Sequence, residues 1–111
     1  MKLVVAMIQP QQLPDIKEAL QEKGFNDMTC TNVLGTVANQ FEEHRYRGAT
    51  QDITLFQKVR IEIGVSDERV EEVIEALSDG AKKSGGSGLA FVAEMQECIK
   101  LGTGKRGESI L

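Results

Sequence analysis

At 111 residues the chain has the length of one domain, large enough to bury a core but with little stability in reserve. A formal net charge of −4 gives a nucleic-acid role no electrostatic support. The longest apolar run, 3–8, falls far short of a membrane span, and no cleavable signal pattern opens the chain. Cys30 and Cys98 lack the CxxC or Cys/His spacing of a zinc site. Without a secretion signal the expected compartment is the cytoplasm. Both thiols are then reduced packing residues, with a redox switch or a disulfide as the lesser alternative.

Residues 2–8 are almost continuously apolar, which predicts a central strand buried on both faces. Pro14 suits a first helical turn, Leu13, Ile16, Ala19 and Leu20 recur at helical spacing, and Gly24 fits the position just past a helix end, so a helix is expected over 13–23. Thr and Val mark a strand over 28–35. Over 57–65, Val59, Ile61, Ile63 and Val65 alternate with Lys58, Arg60, Glu62 and Gly64, the clearest period-2 signal in the chain. Ser66 or Asp67 can cap a second helix, in which Val70, Val73, Ile74 and Leu77 form the apolar stripe. A breaker-rich loop over 82–88 precedes a fourth strand over 89–95, and a glycine-rich tail over 101–107 is expected to be mobile unless docked.

The order β-α-β-loop-β-α-β predicts an α+β, ferredoxin-like βαββαβ fold, with an antiparallel four-stranded sheet and both helices on one face. The other face then needs cover. Either Leu3, Val5 and Met7 or Val4, Ala6 and Ile8 lie on it, and self-association is the simplest cover.

Between the second and third strands lie about twenty residues, too many for a hairpin turn and too polar to bury. A long polar loop on a rigid sheet is expected to be presented to something.

The whole chain resembles the PII (nitrogen regulatory protein P-II) signal-transduction family, as one divergent domain over 1–111. The resemblance is carried by Met28-Thr-Cys-Thr-Asn-Val-Leu-Gly35, Tyr46-Arg-Gly-Ala49, Lys58-Val-Arg-Ile-Glu-Ile63, the glycine loop Gly86-Ser-Gly88 and the ending Thr103-Gly-Lys-Arg-Gly-Glu108. It implies a homotrimer with a T-loop over 36–56, a B-loop over 82–89 and a C-terminal loop over 98–111. It implies no catalysis: members bind adenine nucleotides (ATP, ADP or AMP) between subunits, often with magnesium and 2-oxoglutarate. They then dock the T-loop on a membrane transporter, an enzyme or a transcription regulator. The nucleotide contacts fall on Thr29, Gly35, Thr36, Val37, Ala38, Glu62, Gly64, Gly86, Ser87, Gly88, Leu89, Lys100 and Gly102. The loop root at Gly35 and the glycine loop are expected on neighbouring subunits, clamping one nucleotide. Effector contacts fall on Asn39 and Lys58, and partner contacts on Glu43, Arg45, Tyr46, Arg47 and Gln51.

Several positions depart from the family pattern. Ala38, Leu89 and Gly102 are neutral where members carry a basic residue for the phosphates, and Lys100 stands for an arginine. A hydrogen bond to a charged group is worth roughly 1.5–3 kcal/mol, so ATP is expected to bind no better than ADP or AMP. Asn39 is one methylene shorter than the family's glutamine at the magnesium and 2-oxoglutarate site. Thr36-Val37 replaces an aromatic-glycine pair and stiffens the loop root. Gln51 replaces a tyrosine that relatives have modified, so no hydroxyl remains there to uridylylate. The resemblance implies a role in nitrogen or inorganic-carbon metabolism; the altered pocket points to a divergent branch attached to inorganic-carbon or other transport rather than to glutamine metabolism, with bicarbonate as another candidate effector.

Other readings compete. A trimeric ion-tolerance protein of the same fold would need clustered metal ligands, and Glu42, Glu43 and His44 are adjacent in sequence rather than convergent. An acylphosphatase-type enzyme would need a phosphate-loop arginine near the end of the first strand, which is missing, and no nucleophile with a base is visible.

Overall fold

The computed structural model describes residues 1–37 and 54–111. Strand β1 (Lys2–Ile8) leads into helix α1 (Leu13–Glu22); β2 (Thr29–Gly35) and β3 (Phe56–Val65) follow, then α2 (Val70–Lys82) and β4 (Leu89–Glu94). The sheet order is β2-β3-β1-β4, and all three pairings are antiparallel. Each βαβ half is therefore split by a strand of the other half, as the ferredoxin-like expectation requires.

Burial follows the pleat. In β1, Val4, Ala6 and Ile8 are buried, and in β3, Val59, Ile61, Ile63 and Val65. These meet Ile16 and Leu20 of α1 and Val73, Ala76 and Leu77 of α2 in one cluster. Burial of an aliphatic side chain of this size is worth about 1.5–3 kcal/mol, so both helices are held to this face. The helices also touch closely: a Cβ on Gly80 would lie 2.6 Å from Ile16 Cα.

The opposite face differs from the expectation for the first strand. Leu3, Val5 and Met7 are only half-buried, since no element among the described residues lies over them. Register sets Phe91 beside Val5 and Leu89 beside Met7, and these two are 54% and 67% exposed. On the neighbouring strand Lys58, Arg60 and Glu62 share this face. Arg60 Nε is shielded from solvent without a hydrogen bond; Glu62 Oε1, 3.2 Å away, pairs with it in charge only.

Gly24 ends α1 with φ 87°. Its N–H bonds the Gln21 carbonyl at 3.0 Å and the Phe25 N–H bonds Leu20 at 2.9 Å, the double closure that a left-handed residue permits. A 3-10 turn over Asp67–Arg69 precedes α2, so the expected cap residue Ser66 begins that turn and makes no side-chain capping bond.

The tail is docked. Ile99 bridges Arg106, the Lys100 N–H bonds the Lys105 carbonyl at 2.8 Å, and Glu108 Oε1 accepts the Asp67 N–H at 3.0 Å. Leu111 packs over Gly64, where a Cβ would lie 3.3 Å from Leu111 Cδ2.

Candidate functional site

At one end of the sheet, the root of the long loop and the glycine loop meet. A cleft of about 310 Å³ is lined by Met7, Ile8, Gln9, Thr36, Val37, Lys58, Ser87, Gly88 and Leu89. Lys58 extends along Gly35, where its Cδ would stand 3.2 Å from a Cβ, and Nζ donates to the Thr36 carbonyl at 2.6 Å. Glycines shape the other wall. Gly86 and Gly88 have φ of 72° and 129°, and a Cβ on Gly88 would lie 3.0 Å from the Met7 carbonyl oxygen. The loop is also tied back to α2 through the Gly86 N–H, 2.8 Å from the Ala81 carbonyl.

This arrangement corrects one expectation. The loop root and the glycine loop were assigned to neighbouring subunits, yet Thr36, Val37, Ser87 and Gly88 line one cleft of a single chain. The register explains it. The last residues of β1, Met7 and Ile8, pair with Arg60 and Val59 on one side, and Met7 pairs with Leu89 on the other. The end of β1 thus sits between the start of β3 and the start of β4.

The remaining expected contacts lie elsewhere. Thr29 faces Glu62 across β2 and β3, and Gly64 faces Leu3. From Gly35 to Thr29, or from Lys58 to Gly64, is six residues of strand, roughly 20 Å at about 3.3 Å per residue. Gly64 borders a second, smaller cleft of about 130 Å³ with Gly24, Phe25, Ser66, Arg69 and Leu111 among its walls. The tail bearing Lys100 and Gly102 is fastened at this end through Glu108 and Leu111. One chain therefore carries two separate sets of the expected contacts, on opposite ends of its sheet.

Ala38, Asn39, Glu43, Arg45, Tyr46, Arg47 and Gln51 fall outside the described residues, as do Glu42 and His44. Among the described residues no three His, Cys, Asp or Glu side chains gather as a metal site, and no helix is long and apolar enough to cross a membrane. Cys30 is exposed and Cys98 half-buried.

Sequence reasoning missed Gln12. It is fully buried, and its Nε2 donates to the Ser87 carbonyl at 2.8 Å while its Oε1 accepts the Gln9 N–H at 2.8 Å. The signal available was a glutamine two places past Pro10, just ahead of an amphipathic helix.

Comparison with known proteins bears on the whole chain. The family model "Nitrogen regulatory protein P-II" matches residues 1–105. The nitrogen regulatory protein GlnK of Escherichia coli is 37% identical over 112 residues, covering 100% of both chains. The nitrogen regulatory protein P-II of Rhizobium meliloti is 37% identical over 108 residues, 96% of each chain, and that of Bradyrhizobium diazoefficiens is 37% identical with the same coverage.

Proposed function

The chain belongs to the nitrogen regulatory protein P-II family, and on that premise we propose that it is a signal-transduction regulator whose adenylate site is assembled from two subunits. The carrying observation is the separation of the two contact sets by roughly 20 Å of strand. Gly88 adjoins the Leu89–Met7–Arg60 rung of the ladder, whereas Gly64 pairs with Leu3 four residues further along β3, with Glu62 between them on the bare face. A ligand can touch Gly88 of one chain and Glu62 of the next if the chains close head to tail into a ring, since such a contact repeats by rotation. The bare face of the sheet supplies the surface for closure: Val5, Met7, Leu89 and Phe91 need cover, and the shielded Nε of Arg60 has no hydrogen-bond acceptor among the described residues. A homotrimer is the ring proposed.

In this reading the loop over 82–89 holds phosphate through backbone N–H groups and the loop over 98–111 closes on the nucleotide from the neighbour. The segment over 36–56, with Glu43, Arg45, Tyr46, Arg47 and Gln51, docks on a transporter or metabolic enzyme. Among the described residues the cleft of one chain offers a single side-chain cation, Lys58, against the apolar walls of Met7, Ile8, Val37 and Leu89. This favours ADP or AMP over, or equally with, ATP. Lys58 and Asn39 are the contacts proposed for 2-oxoglutarate or bicarbonate. The ligand acts by preferring one state of the long loop over another, so the protein regulates without turnover.

The test is complementation. Gly88→Asp spoils one set and Glu62→Lys the other. Each variant trimer alone should bind no ADP, whereas the trimers in a refolded mixture that contain both variants should regain one complete cleft each. Mixtures that stay inactive while the unmodified protein binds ADP would overturn the shared site.

A further inference from the structure

We propose that Gln12 is a positioning residue that turns the Ser87–Gly88 peptide so that its N–H is available to an anion. This rests on the adenylate reading above and adds the device that shapes the phosphate wall. The geometry is short. Gln12 is 0% exposed, so its amide must be satisfied inside the protein. Its Oε1 takes the Gln9 N–H at 2.8 Å and its Nε2 reaches the Ser87 carbonyl at 2.8 Å. The turn after β1 and the glycine loop are thereby joined through one side chain across 75 residues of sequence.

The consequence follows from the planarity of the peptide. No cis peptide occurs in the described residues, and in a trans peptide the C=O and the following N–H point in opposite directions. With the Ser87 carbonyl drawn inward onto Gln12, the Gly88 N–H is turned outward. The strand ladder leaves it there. Met95 N–H bonds Met1 O at 3.0 Å, and in the register of β1 and β4 the bonded pairs then recur at every second residue as far as Met7 with Leu89. Gly88 falls between bonded positions, and among the described residues its N–H meets no acceptor. Its φ of 129° is open to glycine but strained for other residues, so the peptide has this orientation available at low cost. A free outward N–H beside Lys58 is suited to a phosphate oxygen.

Gln12 also explains why so glycine-rich a loop is not left to choose its own shape. Gly85, Gly86 and Gly88 would otherwise sample many backbone states, and ordering them on binding would weaken affinity. A buried donor on the Ser87 carbonyl orders the loop beforehand.

The experiment compares ligands with and without phosphate. The unmodified protein, Gln12→Met and Gln12→Glu are titrated with ADP, AMP and adenosine by calorimetry, with the oligomeric state and unfolding midpoint of each recorded. Methionine keeps the volume without the donor; glutamate keeps the Gln9 contact but sets a carboxylate against the Ser87 carbonyl. ADP and AMP affinity should fall about tenfold or more in whichever variant remains folded, while adenosine affinity stays within about twofold. An equal loss for all three ligands would make Gln12 a plain packing residue and overturn the inference. So would unchanged ADP affinity in a folded variant, and both results would leave the shared adenylate site standing. If the unmodified protein binds none of the three, the adenylate reading itself fails and the inference with it. If neither variant folds, Ser87→Gly and Gly88→Ala replace them: glycine at 87 keeps the carbonyl and should retain ADP binding, whereas alanine at 88 should lose it.

Discussion

Lys58 donates to the Thr36 carbonyl oxygen at 2.6 Å and so fastens the strand that follows the long loop to the residue that begins it. The bond is solvent-exposed, which reduces its worth to about 1 kcal/mol. Lys58→Met should therefore speed amide exchange around residues 35–37 by roughly fivefold without moving the global unfolding midpoint appreciably. An anion that draws Lys58 into the cleft should have the same local effect in the unmodified protein. Exchange rates unchanged by the substitution would show that Lys58 does not restrain the loop root.

Two glycines should respond unequally to alanine. At Gly80 the new methyl would meet the Ile16 backbone, with Cα at 2.6 Å and N at 2.9 Å. Neither atom can move without displacing α1 from α2. Overpacking costs typically 1–3 kcal/mol, more than the gain of about 1 kcal/mol in helix propensity. Gly80→Ala should thus lower stability in urea unfolding by about 1–2 kcal/mol. At Gly64 the neighbours are Leu111 Cδ2 at 3.3 Å and Met95 Cε at 3.4 Å, the ends of flexible side chains. Gly64→Ala should stay within about 0.5 kcal/mol of the parent.

The bare sheet face should be sensitive to charge in assembly rather than in folding. Val5→Glu or Phe91→Glu places a carboxylate among Leu3, Met7 and Leu89, with Glu62 the ladder partner of Val5. Light scattering should find monomers with circular dichroism close to the parent. A trimer that survives both substitutions would place the subunit contact elsewhere.

Acid should weaken the protein partly through Asp67. Its carboxyl is held below the ordinary value of 3.8, first by a hydrogen bond from the Met1 ammonium and then by Lys2. Because the folded value is depressed, its contribution is present above the unfolded value and disappears as pH falls through the folded one. Lys2 is shifted upward, chiefly by Glu94, and stays charged throughout this window. The unfolding midpoint of the parent should fall more steeply below about pH 4 than that of Asp67→Asn. Parallel curves would remove Asp67 from the account.

The fold was legible where periodicity was strong. The alternation over Val59, Ile61, Ile63 and Val65 named the core face of β3 without ambiguity, and these four are buried. Gly24 marked the end of α1, where its left-handed backbone closes the helix. The first strand was less clear, since an apolar run has no period. The helices pack on the face of Val4, Ala6 and Ile8, leaving Leu3, Val5 and Met7 half-buried on the bare face. The site was legible in composition but not in connection. Residues 35–37 and 86–88 could be singled out in the sequence, whereas their meeting in one chain depends on β1 lying between β3 and β4. Gln12 gave almost no signal, because one amide bridging two turns has no pattern along the chain.

The most direct measurement is calorimetric titration of the oligomer with ADP and then ATP. The account predicts one adenylate per chain, held in the clefts between chains, with ATP bound no more tightly than ADP. Absence of binding by either nucleotide, or a strong preference for ATP, would contradict it.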